Sequence, residues 1–237
     1  MKKIIPMALL LAFLLSGCAQ ASSETSQSAD VGTSGTHAKT PAASERAQLE
    51  LVKTGYQVKV SLGTVMVYWQ AIIKNPNADS VGQYIKLRLT EFAADGSVVG
   101  TSDQTLNTIG PGEQKAWASV DLPSAKPSKV EISLVGNDWL DGSFTASDYP
   151  AFTFDKIKTV PADSGYQTSG LVTNNFKVKV SQTRVTVLFE DATGKLIGGE
   201  ESFVDEIAPG SNAPFQIAVD SQVRPANVIV FGDNWDY

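Results

Sequence analysis

Tyr84-Ile85-Lys86-Leu87-Arg88-Leu89 alternates apolar and charged side chains. A period of two is the pattern of a half-buried strand, with one face in a core and the other in water. Working outward, Val65-Met66-Val67-Tyr68-Trp69-Gln70-Ala71-Ile72-Ile73 is long, β-branched and aromatic, as a central strand should be. Arg184-Val185-Thr186-Val187-Leu188-Phe189 alternates less cleanly, and residues 129–135, 151–160 and 227–231 add further strand-like runs. Turn signals separate them: Asn75-Pro76-Asn77, Asp95-Gly96, Pro111-Gly112, Thr193-Gly194 and Pro209-Gly210. Past residue 55 no stretch sustains a 3.6-residue apolar period; residues 43–53 are expected to form a short helical lead-in at most. The expected fold class is all-β, built as antiparallel sandwiches.

The same signals occur twice. Ile109-Gly110-Pro111-Gly112 returns as Ile207-Ala208-Pro209-Gly210, a shift of 98 positions, and Asp95 to Gly100 matches Thr193 to Gly198 at the same shift. Ile72-Ile73-Lys74-Asn75 answers Leu171-Val172-Thr173-Asn174, and both copies close on Gly-x-x-Trp, at Trp139 and Trp235. Order and spacing together indicate a duplicated domain. We expect one module over residues 47–141 and a second over 148–237. A short linker near Leu140 to Pro150 would hold them in a semi-rigid line with some contact. Trp139 and Trp235 are expected to share one packing role at equivalent places.

The second copy resembles the FxLYD family on specific residues. These are Gly170-Leu171-Val172-Thr173-Asn174-Asn175, Val185 to Phe189, Asp191 to Lys195, Ile207 to Gly210 and Pro214-Phe215. The family's Tyr-Asp pair keeps only Asp191, with Glu190 in the Tyr position; the first copy has Phe92-Ala93 there. The resemblance covers roughly residues 165–220, and 67–122 more loosely. It implies tandem immunoglobulin-like extracytoplasmic modules and brings no activity with it.

The N-terminus carries an address. Lys2 and Lys3 precede the apolar run Ile4 to Leu15, interrupted only by Pro6, and Leu15-Ser16-Gly17-Cys18 follows at once. The run is too short for a permanent bilayer span and suits a signal segment. The tetrapeptide resembles the bacterial lipobox. That implies removal of residues 1–17, cleavage between Gly17 and Cys18, and lipidation (a palmitate-type anchor) on Cys18. More than one acyl chain gives stable attachment to a membrane. Ala19 replaces the Asp that retains many lipoproteins at the inner membrane, which permits a Gram-negative outer-membrane location. A cysteine-free ectodomain favours the extracytoplasmic face of a Gram-positive membrane. Residues 18–46, rich in Ser, Thr, Ala, Gly and Gln, read as a disordered tether, with His37 a solvated linker residue.

Composition narrows the chemistry. The net charge of -6 becomes -8 without Lys2 and Lys3, 17 basic against 25 acidic residues, which disfavours nucleic acid as a partner. Cys18 and His37 are the only residues of their types, so the globular part lacks Ser-His-Asp triads, Cys nucleophiles and His-built zinc sites. No phosphate-cradling loop is present, and no particular Ser-Lys pair stands out. Glu190-Asp191, Glu200-Glu201 and Asp205-Glu206 are the carboxylates a glycosidase would need, although acidic strand ends are ordinarily solvated. Asp138 with Asp141, or Asp233 with Asp236, could offer oxygen ligands to calcium, but no known loop spacing fits. Trp69 and Trp117 lie inside strand-like runs and read as core. Of Tyr56, Tyr149 and Tyr166, Tyr149 is the best candidate for an exposed binding aromatic. The expectation is a non-enzymatic binding or assembly protein without cofactor, attached to the membrane by its lipid and meeting another envelope protein or wall component. A glycan- or small-solute-binding protein is the alternative, and a carboxylate-dependent hydrolase a remoter one.

Overall fold

The strand containing Tyr84 to Leu89 has a hydrogen-bonded neighbour on both sides. The structure, a computed structural model, describes residues 46–235. Six strands form the first sandwich: β1 (Glu50–Ser61), β2 (Thr64–Lys74), β3 (Gly82–Phe92), β4 (Val98–Ile109), β5 (Gln114–Asp121) and β6 (Lys129–Trp139). They make two antiparallel sheets, ordered β1-β2-β5 and β4-β3-β6. The second sandwich repeats the plan with β7 (Thr153–Ala162), β8 (Gly165–Thr173), β9 (Val180–Glu190), β10 (Leu196–Ile207), β11 (Asn212–Val219) and β12 (Asn227–Asn234). Its sheets are β7-β8-β11 and β10-β9-β12, again antiparallel. The fold is all-β and immunoglobulin-like, and no helix occurs among the described residues.

Alternation builds each core. Trp69, Ala71 and Ile73 of β2 meet Ile85, Leu87 and Leu89 of β3, joined by Leu106, Ile109, Trp117 and Val130. In the second sandwich Val185, Val187 and Phe189 of β9 meet Val172, Phe215, Ile217 and Val219. Equivalent turns close both. Gly112 and Gly210 share φ 68° after Pro111 and Pro209, a left-handed conformation that glycine adopts without penalty.

Three expectations need correction. Residues 50–53 belong to β1 and not to a helical lead-in. Val52, Thr54, Tyr56, Val58 and Val60 are β-branched or aromatic, and the strand pairs with β2 down to Ser61 and Thr64. Second, the modules are not in a line. The outer face of β1-β2-β5 packs on the outer face of β10-β9-β12, burying Ile72, Ala116, Ala118, Leu188 and Leu196, with Ile229 and Phe231 against them. Glycine lets the sheets approach closely: a Cβ on Gly55 would lie 2.6 Å from that of Leu196, and one on Gly199 2.8 Å from Gln70 Cγ. Third, Trp139 and Trp235 are not equivalent. Trp139 is opposite Gly82, whereas the Trp235 N–H donates to the Gln182 carbonyl, two strand positions further along. Register shifts in the β3–β6 ladder around Lys86 separate the two closing motifs. The signal segment, Gly17, Cys18 and the tether up to residue 45 lie outside the described residues, as do residues 236–237.

Candidate functional site

Where the sandwiches meet, five charged side chains from four strands converge: Glu113 and Lys115 near the start of β5, Arg184 of β9, Glu201 of β10 and Asp233 of β12. Asp233 accepts from Lys115 Nζ at 2.5 Å and from Arg184 Nη2 at 3.0 Å. Arg184 is completely buried. Its guanidinium carbon lies 4.0 Å from the ring centroid of Trp117 and 4.6 Å from that of Trp235. The two indoles meet edge to face at 6.3 Å, and Phe203 packs on Trp235 at 5.7 Å. A planar guanidinium between two indoles is held by cation–π attraction as well as charge, which a lysine could not reproduce.

The seam shifts proton affinities. Burial works against the Lys115 ammonium, but the charges of Asp233 and Glu113 outweigh it and raise its pKa. Burial raises Glu113, with Lys115 opposing. Burial also pushes Glu201 up to about 7; Arg184, 3.8 Å away, opposes this and Glu200 adds to it. Two further bridges span the junction. Lys53 of β1 donates to Glu190 and to the Gly194 carbonyl, and Lys59 meets Asp220 at 2.5 Å. Asn227 also donates to Glu190, whose pKa is lowered by these hydrogen bonds.

The acidic residues have protein partners. Glu201 pairs with Thr186 four residues from Glu190 along β9, where Glu201 faces Arg184 and Glu190 accepts from Lys53 and Asn227. Asp191 organises a turn, accepting from the N–H groups of Thr193 and Lys195, and Asp205 accepts from Gln182 Nε2 at 3.1 Å. Glu206 pairs with Lys179 on the surface. Asp233 is committed to two cations and is not available to calcium, while Asp138 and Asp141 are exposed. No group of three or more metal-ligating side chains occurs among the described residues. Comparison of the chain with protein-family models gives no match, and comparison with curated proteins gives none either.

The aromatics divide. Trp69 and Trp117 are core. Tyr166 packs edge-on against Phe189 at 6.2 Å. Tyr149 is half-buried, edge-on to Phe144 at 5.7 Å, beside a cavity of about 90 Å³ that Glu113, Lys115, Phe152 and Phe176 also line. Tyr84 is more open, at 58% exposure. It stands on a bulge with φ 48°, over a depression of about 470 Å³ with Lys86, Thr105, Asn137 and Asp138. Sequence reading missed both Tyr84 and the seam. Arg184, the one basic residue of β9, is the available signal for the seam.

Proposed function

We propose that this chain is a membrane-anchored extracytoplasmic lipoprotein whose two FxLYD-like, immunoglobulin-like modules bind or position another component of the bacterial envelope without catalysing a reaction. The observation that carries the reading is Leu15-Ser16-Gly17-Cys18 directly after a basic start and an apolar run. Support for the non-enzymatic part comes from the carboxylates, which are spent on turns, surface pairs and the inter-module seam. Labelling cells with radioactive palmitate tests the anchor. The wild-type protein should take up label and partition into detergent, and Cys18→Ala should do neither; equal labelling of both would sink it. For the partner, in-cell crosslinking of the lipidated chain should capture one dominant envelope protein. Because the sandwiches share a seam, point variants on exposed faces should map the contact in place of module deletions.

A glycan-binding reading has Tyr84 in its favour. An exposed ring beside Lys86, Asn137 and Asp138 presents stacking and hydrogen-bonding groups together, with the two charges cancelling. Retention of the protein on purified wall polymer, lost in Tyr84→Ala, would shift the assignment to that class.

A further inference from the structure

Glu91 occupies a core position. It lies on β3 two residues after Leu89, and it is 0% exposed. Among the described residues no N–H or hydroxyl group donates to either carboxylate oxygen, which leaves the neighbouring Asp121 carboxyl as its hydrogen-bond partner. The duplicate supplies a control. Glu91 pairs with Gly100 as Phe189 pairs with Gly198, so the shift of 98 matches Glu91 to Phe189 and Asp121 to Val219. Phe189 and Val219 are fully buried apolar residues of the second core. The first sandwich therefore sets two carboxyl groups where its sibling sets a ring and a valine. Gly100 makes the room, since a Cβ there would overlap Glu91 Oε2, and Pro123 closes over the same point.

Among the described residues no cation acts on Glu91. Asp121 of β5 is the titratable group that acts on Glu91. On β6, Val130 stands opposite Glu91, while Lys129 and Glu131 on either side are exposed and pair with each other. Asp103 of β4 is bound to Arg88 on the exposed face. β2 presents Val67 opposite Asp121. Glu91 is buried and Asp121 half-buried beside it, so two ionised carboxylates there repel, and Glu91 keeps a proton and donates it to Asp121.

We propose that Glu91 and Asp121 are an acid–carboxylate pair whose shared proton fastens one end of the first sandwich, so that the sandwich tightens in acidic surroundings and loosens as they become neutral. Burial first, then the charge and hydrogen bond of Asp121, push Glu91 up to about 7. Its folded pKa lies above the ordinary value of 4.5, so between those two pH values the folded chain keeps a proton that the unfolded chain has released. Stability must fall as pH rises through that window and level off above it. The end affected is where the Ser124 N–H and Oγ hold the Val99 carbonyl.

Urea unfolding of the full chain in detergent, followed by tryptophan fluorescence from pH 4.5 to 8, tests this. Glu91→Gln keeps the donor to Asp121 and removes the ionisation. The wild-type folding constant should fall relative to that of Glu91→Gln by roughly 40-fold between pH 5 and 7, at up to tenfold per pH unit. Asp121→Asn should move the window to lower pH. Carbon NMR of the wild-type Glu91 carboxyl, which needs no variant to fold, should give a midpoint near neutrality. A wild-type to Gln ratio that stays constant across the range, or a Glu91 midpoint near 4.5, would overturn the proposal.

Discussion

Asp233 is one carboxylate between two buried cations, and removing it would strand Lys115 and Arg184 in the interior. Breaking one side of such a group costs about 3–5 kcal/mol, because the remaining charge keeps its desolvation penalty. Asp233→Ala should lose that much stability in urea titration. Disrupting the exposed Arg88–Asp103 pair, though bidentate at 2.7 Å, should cost far less, because water solvates both ends. The contrast could not be read from the residues. Arg88 and Arg184 both stand in alternating strand runs, and what separates them is a second sheet lying over Arg184 and solvent over Arg88.

Each sandwich is pinned by the same element, a buried Asn that ends its second strand. The Asn75 side-chain amide donates to the carbonyls of Ser80 at 2.7 Å, Gly110 at 2.9 Å and Ile109 at 3.3 Å. Asn174 does the same to Val178 at 2.9 Å and Ile207 at 2.8 Å. The β2–β3 crossover is thereby tied to the Pro-Gly turn, and β8–β9 to its counterpart. Alanine at either position leaves buried carbonyls unpartnered and should cost about 2–3 kcal/mol, measured by chemical denaturation. An isosteric Asp should not rescue, having no amide to donate. These pins explain why Asn recurs with the Pro-Gly signal in both copies, and they show where the sequence is legible: alternation and turn chemistry locate β2, β3, β6, β7, β9 and β12. They fail on residues 50–53, whose partner lies across a hairpin, and on the closing Gly-x-x-Trp. Identical spelling there hid a difference in register, because bulges in β3–β6 leave no compositional trace.

The sandwiches pack front to back, with unlike faces in contact. The first uses its β1-β2-β5 face and the second its β10-β9-β12 face. A contact of this kind does not close on itself, and repeated it would build a filament. The counterpart of the second sandwich's sticky face is the outer side of β4-β3-β6. There Thr90, Glu131 and Ser133 stand where the second copy has Leu188, Ile229 and Phe231. Restoring the apolar set in Thr90→Leu/Glu131→Ile/Ser133→Phe should produce concentration-dependent association in sedimentation velocity, absent from wild type. The seam has a consequence in time as well. Lys115 is separated from Asp233 by 118 residues, and Trp117 meets Trp235 from the last strand. A chain made from its N-terminus exposes the first sandwich long before that strand exists. During this interval Lys115 lacks Asp233, and the Trp117 indole lacks its contacts with Arg184 and Trp235. In synthesis the seam is therefore completed only when the end of the second sandwich arrives.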